Sequence, residues 1–187
     1  MTFAEEMGKA SWNIVWVQLI AYAIISSALG YLALQVQSGS FNPPTANPAT
    51  IQMLQTIRSY TTGVVLGSIV IVPLFFFIGM GIFYGLAKAF GGQGRFLNQS
   101  YTYLLFNVPL GIIAGLLYQI PFAGGLIAFA VGIYQIVLSI FSIMAVHRLS
   151  GGKASAVVLI PVGVLFLLAC VLVFVAIALI AAAMQHP

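Results

Sequence analysis

Five long apolar runs follow one another along this chain, at residues 12–34, 63–87, 101–118, 125–146 and 154–184, and short polar segments separate them. A helix needs about 20 apolar residues to cross a hydrocarbon core about 30 Å thick. All five runs reach or approach that length, the third being the shortest. The pattern predicts an all-α fold: a polytopic integral membrane protein built as a bundle of five transmembrane helices. The segment 35–50 is the one long connection. It is rich in turn formers, and Pro43, Pro44 and Pro48 predict an exposed loop without helix. After it, Ile51, Leu54 and Arg58 mark a helical stripe, either a short interfacial helix or an extension of the second run.

Composition explains why lipid must be the solvent. Charged residues make up 4% of the chain and apolar residues 62%, whereas soluble domains carry about 25% charged residues. The two acidic residues, Glu5 and Glu6, both precede the first apolar run. No carboxylate is thus placed inside the membrane to carry a proton, hold a metal or activate water. The first run holds Gln18 and shows no clear cleavage site, which predicts a retained helix that also targets the chain. The single Cys170 excludes an intrachain disulfide and predicts a small packing residue.

The bases orient the bundle. Lys and Arg are retained on the cytoplasmic side. With five crossings, Lys9, Lys88, Arg95, Arg148 and Lys153 share the side of the N-terminus, and Arg58 alone lies opposite. This places the N-terminus in the cytoplasm and the C-terminus outside, in a cell (inner) membrane. The organisation is one membrane domain over residues 1–187, with 1–11 as a short cytoplasmic N-terminus and 35–50 as a Pro-rich outer loop. Six bases scattered over several loops form no nucleic-acid surface.

Small residues at helical spacing let backbones approach closely in lipid. Tyr22, Ser26 and Gly30 form such a ridge on the first helix; Gly63, Gly67, Gly81 and Gly85 on the second; Asn107, Gly111 and Gly115 on the third; and Gly125, Gly132 and Ser139 on the fourth. These ridges are expected to face the bundle, with lipid-facing homodimer contacts as the alternative. Pro73, Pro109 and Pro161 lie within helical runs and predict kinks. Asn107, two residues before Pro109, is placed to clip a neighbouring helix or to mark a substrate site at a broken helix.

Familiar catalytic patterns fail on their details. Gly152-Lys153-Ala154 lacks the earlier Gly and the following Ser or Thr of a phosphate loop. His147 and His186 fall on opposite sides of the membrane, so no shared metal is expected. His147 reads as a helix-end residue. No Ser-His-acid set is available within the spans, and no cofactor is expected. Asn98-Gln-Ser matches a glycosylation sequon on the cytoplasmic side, as a chance match.

Two basic Gly-Gly turns echo each other: Lys88-Ala-Phe-Gly-Gly-Gln-Gly-Arg95 and His147-Arg-Leu-Ser-Gly-Gly-Lys153. With the polar-aromatic start Gln99-Ser-Tyr-Thr-Tyr103, Pro109, Ile120-Pro-Phe-Ala-Gly-Gly125, Ile133-Tyr-Gln-Ile-Val-Leu138 and Ile160-Pro161, they make an ordered block over 83–168. That block resembles the Yip domain family, membrane proteins named for interaction with Ypt/Rab GTPases. The resemblance implies five membrane helices with a cytoplasmic N-terminus. Eukaryotic members carry a long N-terminal region and roles in vesicle traffic. About a dozen residues precede the first helix here, so the resemblance is to the short prokaryotic type and Rab binding does not carry over.

The expected function is that of a non-enzymatic membrane protein organising lipid or partner proteins, through membrane shaping or a trafficking-like scaffold. Lys88, Arg95, Arg148 and Lys153 would contact lipid headgroups or a partner. The expected partners are membrane lipids, other membrane proteins or a second copy. The alternative is a small transporter or channel subunit, with a polar bundle interior at Asn107, Tyr118, Gln119 and Gln135.

Overall fold

A computed structural model describes residues 7–40, 48–120 and 123–185. A 3-10 turn, Met7–Lys9, precedes five helices: α1 Trp12–Ser40, α2 Pro48–Ala89, α3 Phe96–Leu117, α4 Gly124–His147 and α5 Gly151–Gln185. All five are long and apolar enough to cross a membrane, and no strand occurs among the described residues.

Two boundaries differ from the sequence reading. α1 continues to Ser40, six residues past the predicted apolar run, so polar residues 35–40 remain helical. α2 begins at Pro48, where proline is tolerated because the first helical N–H has no intrahelical partner anyway. Residues 41–47 of the predicted loop, Pro43 and Pro44 among them, lie outside the described residues. The 51–60 stripe is an extension of α2, which runs unbroken for 42 residues. Glu5, Glu6, Pro121 and His186 also lie outside the described residues. Pro73, Pro109 and Pro161 sit inside continuous α2, α3 and α5.

α3 is the hub, packed against α1, α2 and α4, while α5 packs on α4 and α2. One apolar core gathers Val15 and Leu19 of α1 with Tyr101 and Leu104 of α3. The other gathers Ala87, Ile143, Leu149, Ala154, Val157 and Val158. Aromatic rings join α1, α2 and α3 around Phe96: Trp12 lies 6.1 Å and Tyr84 5.4 Å from it, centroid to centroid.

The small-residue ridges divide. A Cβ placed on Gly111 would lie 2.6 Å from the Tyr22 hydroxyl, and one on Gly115 3.3 Å from Leu29 Cδ1, so the α3 ridge does receive α1. Gly30 likewise receives Val65 of α2, and Ser27 meets Ser68 at 2.6 Å. Gly63, Gly81, Gly85, Gly125 and Gly132 face open space, contrary to expectation. Spacing marks where a close approach is sterically allowed; it does not supply the neighbour. Cys170 is another correction: it is exposed. Every α5 residue from 164 to 178 is exposed, whereas the earlier part of the helix supplies Ala154, Val157 and Val158 to the core.

Candidate functional site: two basic turns joined at one end of the bundle

The α2–α3 turn forms where α2 must stop. Gly91 adopts φ +89°, a left-handed conformation that glycine takes without steric cost. Its N–H bonds to Lys88 O at 3.0 Å, and the Gly92 N–H bonds to Ala87 O at 2.8 Å. This pair closes the helix end as a Schellman motif. Arg95 is the N-cap of α3 in extended conformation, with no side-chain cap. At the α4–α5 turn the left-handed residue is Arg148, at φ 54° and ψ 37°. A side chain there costs roughly 1 kcal/mol that glycine avoids.

The structure brings the two turns into contact. The Gln93 N–H donates to His147 O at 3.2 Å, and Lys153 Nζ donates to Phe90 O at 3.2 Å. That ammonium satisfies an orphan carbonyl at the end of α2 and favours its negative dipole end. A Cβ on Gly92 would lie 2.7 Å from His147 Nδ1, and one on Gly94 2.6 Å from Val146 Cγ1 and 2.7 Å from Val146 O. Only glycine allows this approach.

Beneath the junction lies a buried clip. Gln99 Nε2 donates to Met80 O at 3.0 Å, and Gln99 Oε1 meets His147 Nε2 at 2.8 Å. Gln99 and His147 are both 1% exposed. Since the Gln99 amide nitrogen is engaged with a carbonyl, its oxygen faces the ring and His147 Nε2 is the donor. His147 Nδ1 is buried without a hydrogen-bond partner among the described residues, as is Ser100 Oγ. The Tyr84 ring stands edge-on to the imidazole at 5.7 Å and carries the Lys88 ammonium 5.3 Å from its centroid.

Lys88, Arg95, Arg148 and Lys153 are all exposed and lie on these two turns, at one end of the bundle. Arg58 is 30 residues before Lys88 on α2, roughly 45 Å away at 1.5 Å per residue. The second set of site residues does not come together. Gln119 donates from Nε2 to Leu29 O at 3.1 Å, near the opposite end of the bundle. Tyr118 is 59% exposed and is not interior; it caps the C-terminus of α3, where the chain leaves the bundle. Asn107 and Gln135 are half-buried on α3 and α4. The interior amides and hydroxyls are largely spent on backbone: Ser27 on Ala23 O, Thr102 on Asn98 O, Ser139 on Gln135 O, and Gln99 and Gln119 as above.

The sequence pattern marks His147 only as a helix end and does not point to Gln99 as its partner. The two lie 48 positions apart, and only the folded turns connect them. A signal for the site is nonetheless present: both basic Gly-Gly turns stand out, and Gln99 opens the polar start of α3.

Five apolar helices clipped by buried polar contacts define a multi-pass α-helical membrane protein. The Yip1 domain family matches residues 2–174, nearly the whole chain, and the protein belongs to that family. No curated protein and no solved structure matches the chain.

Proposed function

We propose that this protein is a non-enzymatic organiser of the membrane, whose basic end collects anionic lipid headgroups and holds them against a rigid face. One observation carries the reading. Two turns, distant in sequence, are bonded into a single surface that displays Lys88, Arg95, Arg148 and Lys153, with no carboxylate among the described residues to neutralise them. Bases near an anionic surface contribute about 1 kcal/mol each toward binding. This face is cytoplasmic in the proposed topology, in keeping with retention of Lys and Arg on that side, and the membrane is the cell (inner) membrane. Further membrane proteins or a second copy are the partners such a scaffold would gather. The interior favours packing over passage, because its polar groups bond to backbone instead of converging on a lumen.

Replacing Lys88, Arg95, Arg148 and Lys153 with Gln tests this. Native mass spectrometry would count retained anionic lipid, after cysteine labelling confirms unchanged orientation. Fewer retained anionic lipids, with the difference fading as salt shortens the Debye length from about 10 Å at 0.1 M to about 3 Å at 1 M, supports the reading. Equal retention refutes it. Solute flux in proteoliposomes that disappears in a folded Asn107→Leu variant would assign transport instead.

A further inference from the structure

We propose that the junction between the two basic turns is a proton-operated latch, in which residues 91–94 stay seated on the α4–α5 turn only while the His147 ring carries its single proton on Nε2. The geometry sets this requirement. Nε2 must donate, because Gln99 Oε1 is the only face that amide offers once its nitrogen is engaged with Met80 O. Nδ1 then keeps a bare lone pair, buried and unpartnered among the described residues. It points at the Gly92–Gly94 strip, where even a methyl group would stand 2.7 Å from it at Gly92 and 3.0 Å at Gly94.

A second proton would turn Nδ1 into an N–H donor with no acceptor before it. It would also place a positive charge in a buried site. Among the described residues, the charged groups on the elements that meet at this junction are all cationic: Lys88 from α2, reaching the ring across Tyr84; Arg95 at the start of α3; Lys153 from α5, bonded to Phe90 O; and Arg148, next in the chain. No Asp or Glu occurs among the described residues to pair with an imidazolium. An unpaired buried charge is far more costly than an unpaired neutral group. The strip from Phe90 to Gly94 lies outside the helices; Schellman bonds tie Gly91 and Gly92 to the end of α2, and Gly92 and Gly94 pack against the ring. Lifting the strip breaks the Gln93-to-His147 bond and the Lys153-to-Phe90 bond, lets water reach Nδ1, and separates the bases of one turn from those of the other. The latch does not depend on what the bases bind.

The test uses the full chain with Cys170→Ser and spin labels at Gln93→Cys and Ser150→Cys, both exposed positions. Inter-label distances would be measured in phosphatidylcholine nanodiscs at about pH 7.5 and about pH 3.5, on either side of the ordinary imidazole value near 6.5. One narrow distribution at neutral pH and a second, longer population in acid is expected. His147→Gln, whose amide can still donate to Gln99, is expected to stay narrow at both. An unchanged wild-type distribution, or the same acid response in His147→Gln, overturns the proposal. If His147→Gln does not fold, NMR of a His186→Gln chain decides. Amide shifts of residues 91–94 that follow the imidazole titration support the latch, and shifts that ignore it refute it.

Discussion

The basic end of this bundle and the far half of α5 are built on opposite principles. At the basic end, glycine, histidine and glutamine fix one backbone segment against another through short polar contacts, and nearly every buried polar group lies there: Gln99, Ser100, Thr102, Ser139, Ser142 and His147. Along the far half of α5, by contrast, all residues from 164 to 178 are exposed, Cys170 and Phe174 among them. Lipid solvates such a helix without penalty, since every backbone group bonds within it. Apolarity therefore keeps the chain in the membrane, while specific structure requires polar contacts and close glycine approaches. In this protein the buried polar contacts are concentrated where the bases are, while close glycine approaches occur at both ends, at Gly92 and Gly94 on one and at Gly124, against Leu117 O, on the other.

The contrast breaks most sharply at Gly94. Gly94→Ala drives a methyl group into Val146 O, a backbone atom that cannot rotate away. A loss of about 2–3 kcal/mol is expected, at the upper range for overpacking. Gly85→Ala, at a helical glycine facing open space, should be neutral or gain up to about 1 kcal/mol from helix propensity. Thermal melts in one detergent compare the pair, and equal effects would erase the distinction.

The buried clip is next in size. Gln99→Leu alone strands the His147 ring, and His147→Leu alone strands the Gln99 oxygen, each at about 1–3 kcal/mol. The double variant should cost less than the two losses added, since neither partner is left behind. A double-mutant cycle reads the coupling directly, and additive losses would show that the 2.8 Å contact contributes nothing to stability.

Smaller again is the α1–α3 contact. Gly111→Ala meets the tip of the Tyr22 side chain, which can yield, so about 1 kcal/mol is expected. Tyr22→Ala should relieve it. A large change at Ile113, 46% exposed, is the lipid-facing control; Ile112 is half-buried and unsuited to it. Leu172→Ala, at the far end, should change stability by less than about 0.5 kcal/mol, as for exposed positions without special contacts.

Five crossings are legible in the length and spacing of the apolar runs, because lipid leaves a single chain few other ways to satisfy its backbone. The ridge at Gly111 and Gly115 is legible too, and α1 does approach it. The same pattern misleads at Gly63, Gly81, Gly85 and Gly132: a small residue permits a neighbour, and whether one arrives depends on the paths of other helices. Helix ends escape hydropathy for a related reason. Hydropathy reports where lipid is tolerated, whereas residues 35–40 and 48–58 fall outside the membrane-compatible spans and still remain helical. The Gln99–His147 pair is illegible in the sequence because it depends on a register between two turns that only the packed bundle sets.

If the four bases act as one face, they do so because the turns are joined. Counting anionic lipids by native mass spectrometry on Gly94→Ala, which keeps every charge and disturbs only the junction, tests this most directly. A folded, correctly oriented Gly94→Ala protein is expected to retain fewer anionic lipids than wild type, approaching the variant with all four bases replaced by Gln. Retention equal to wild type would contradict a joined face, leaving the four bases as independent charges on a membrane surface.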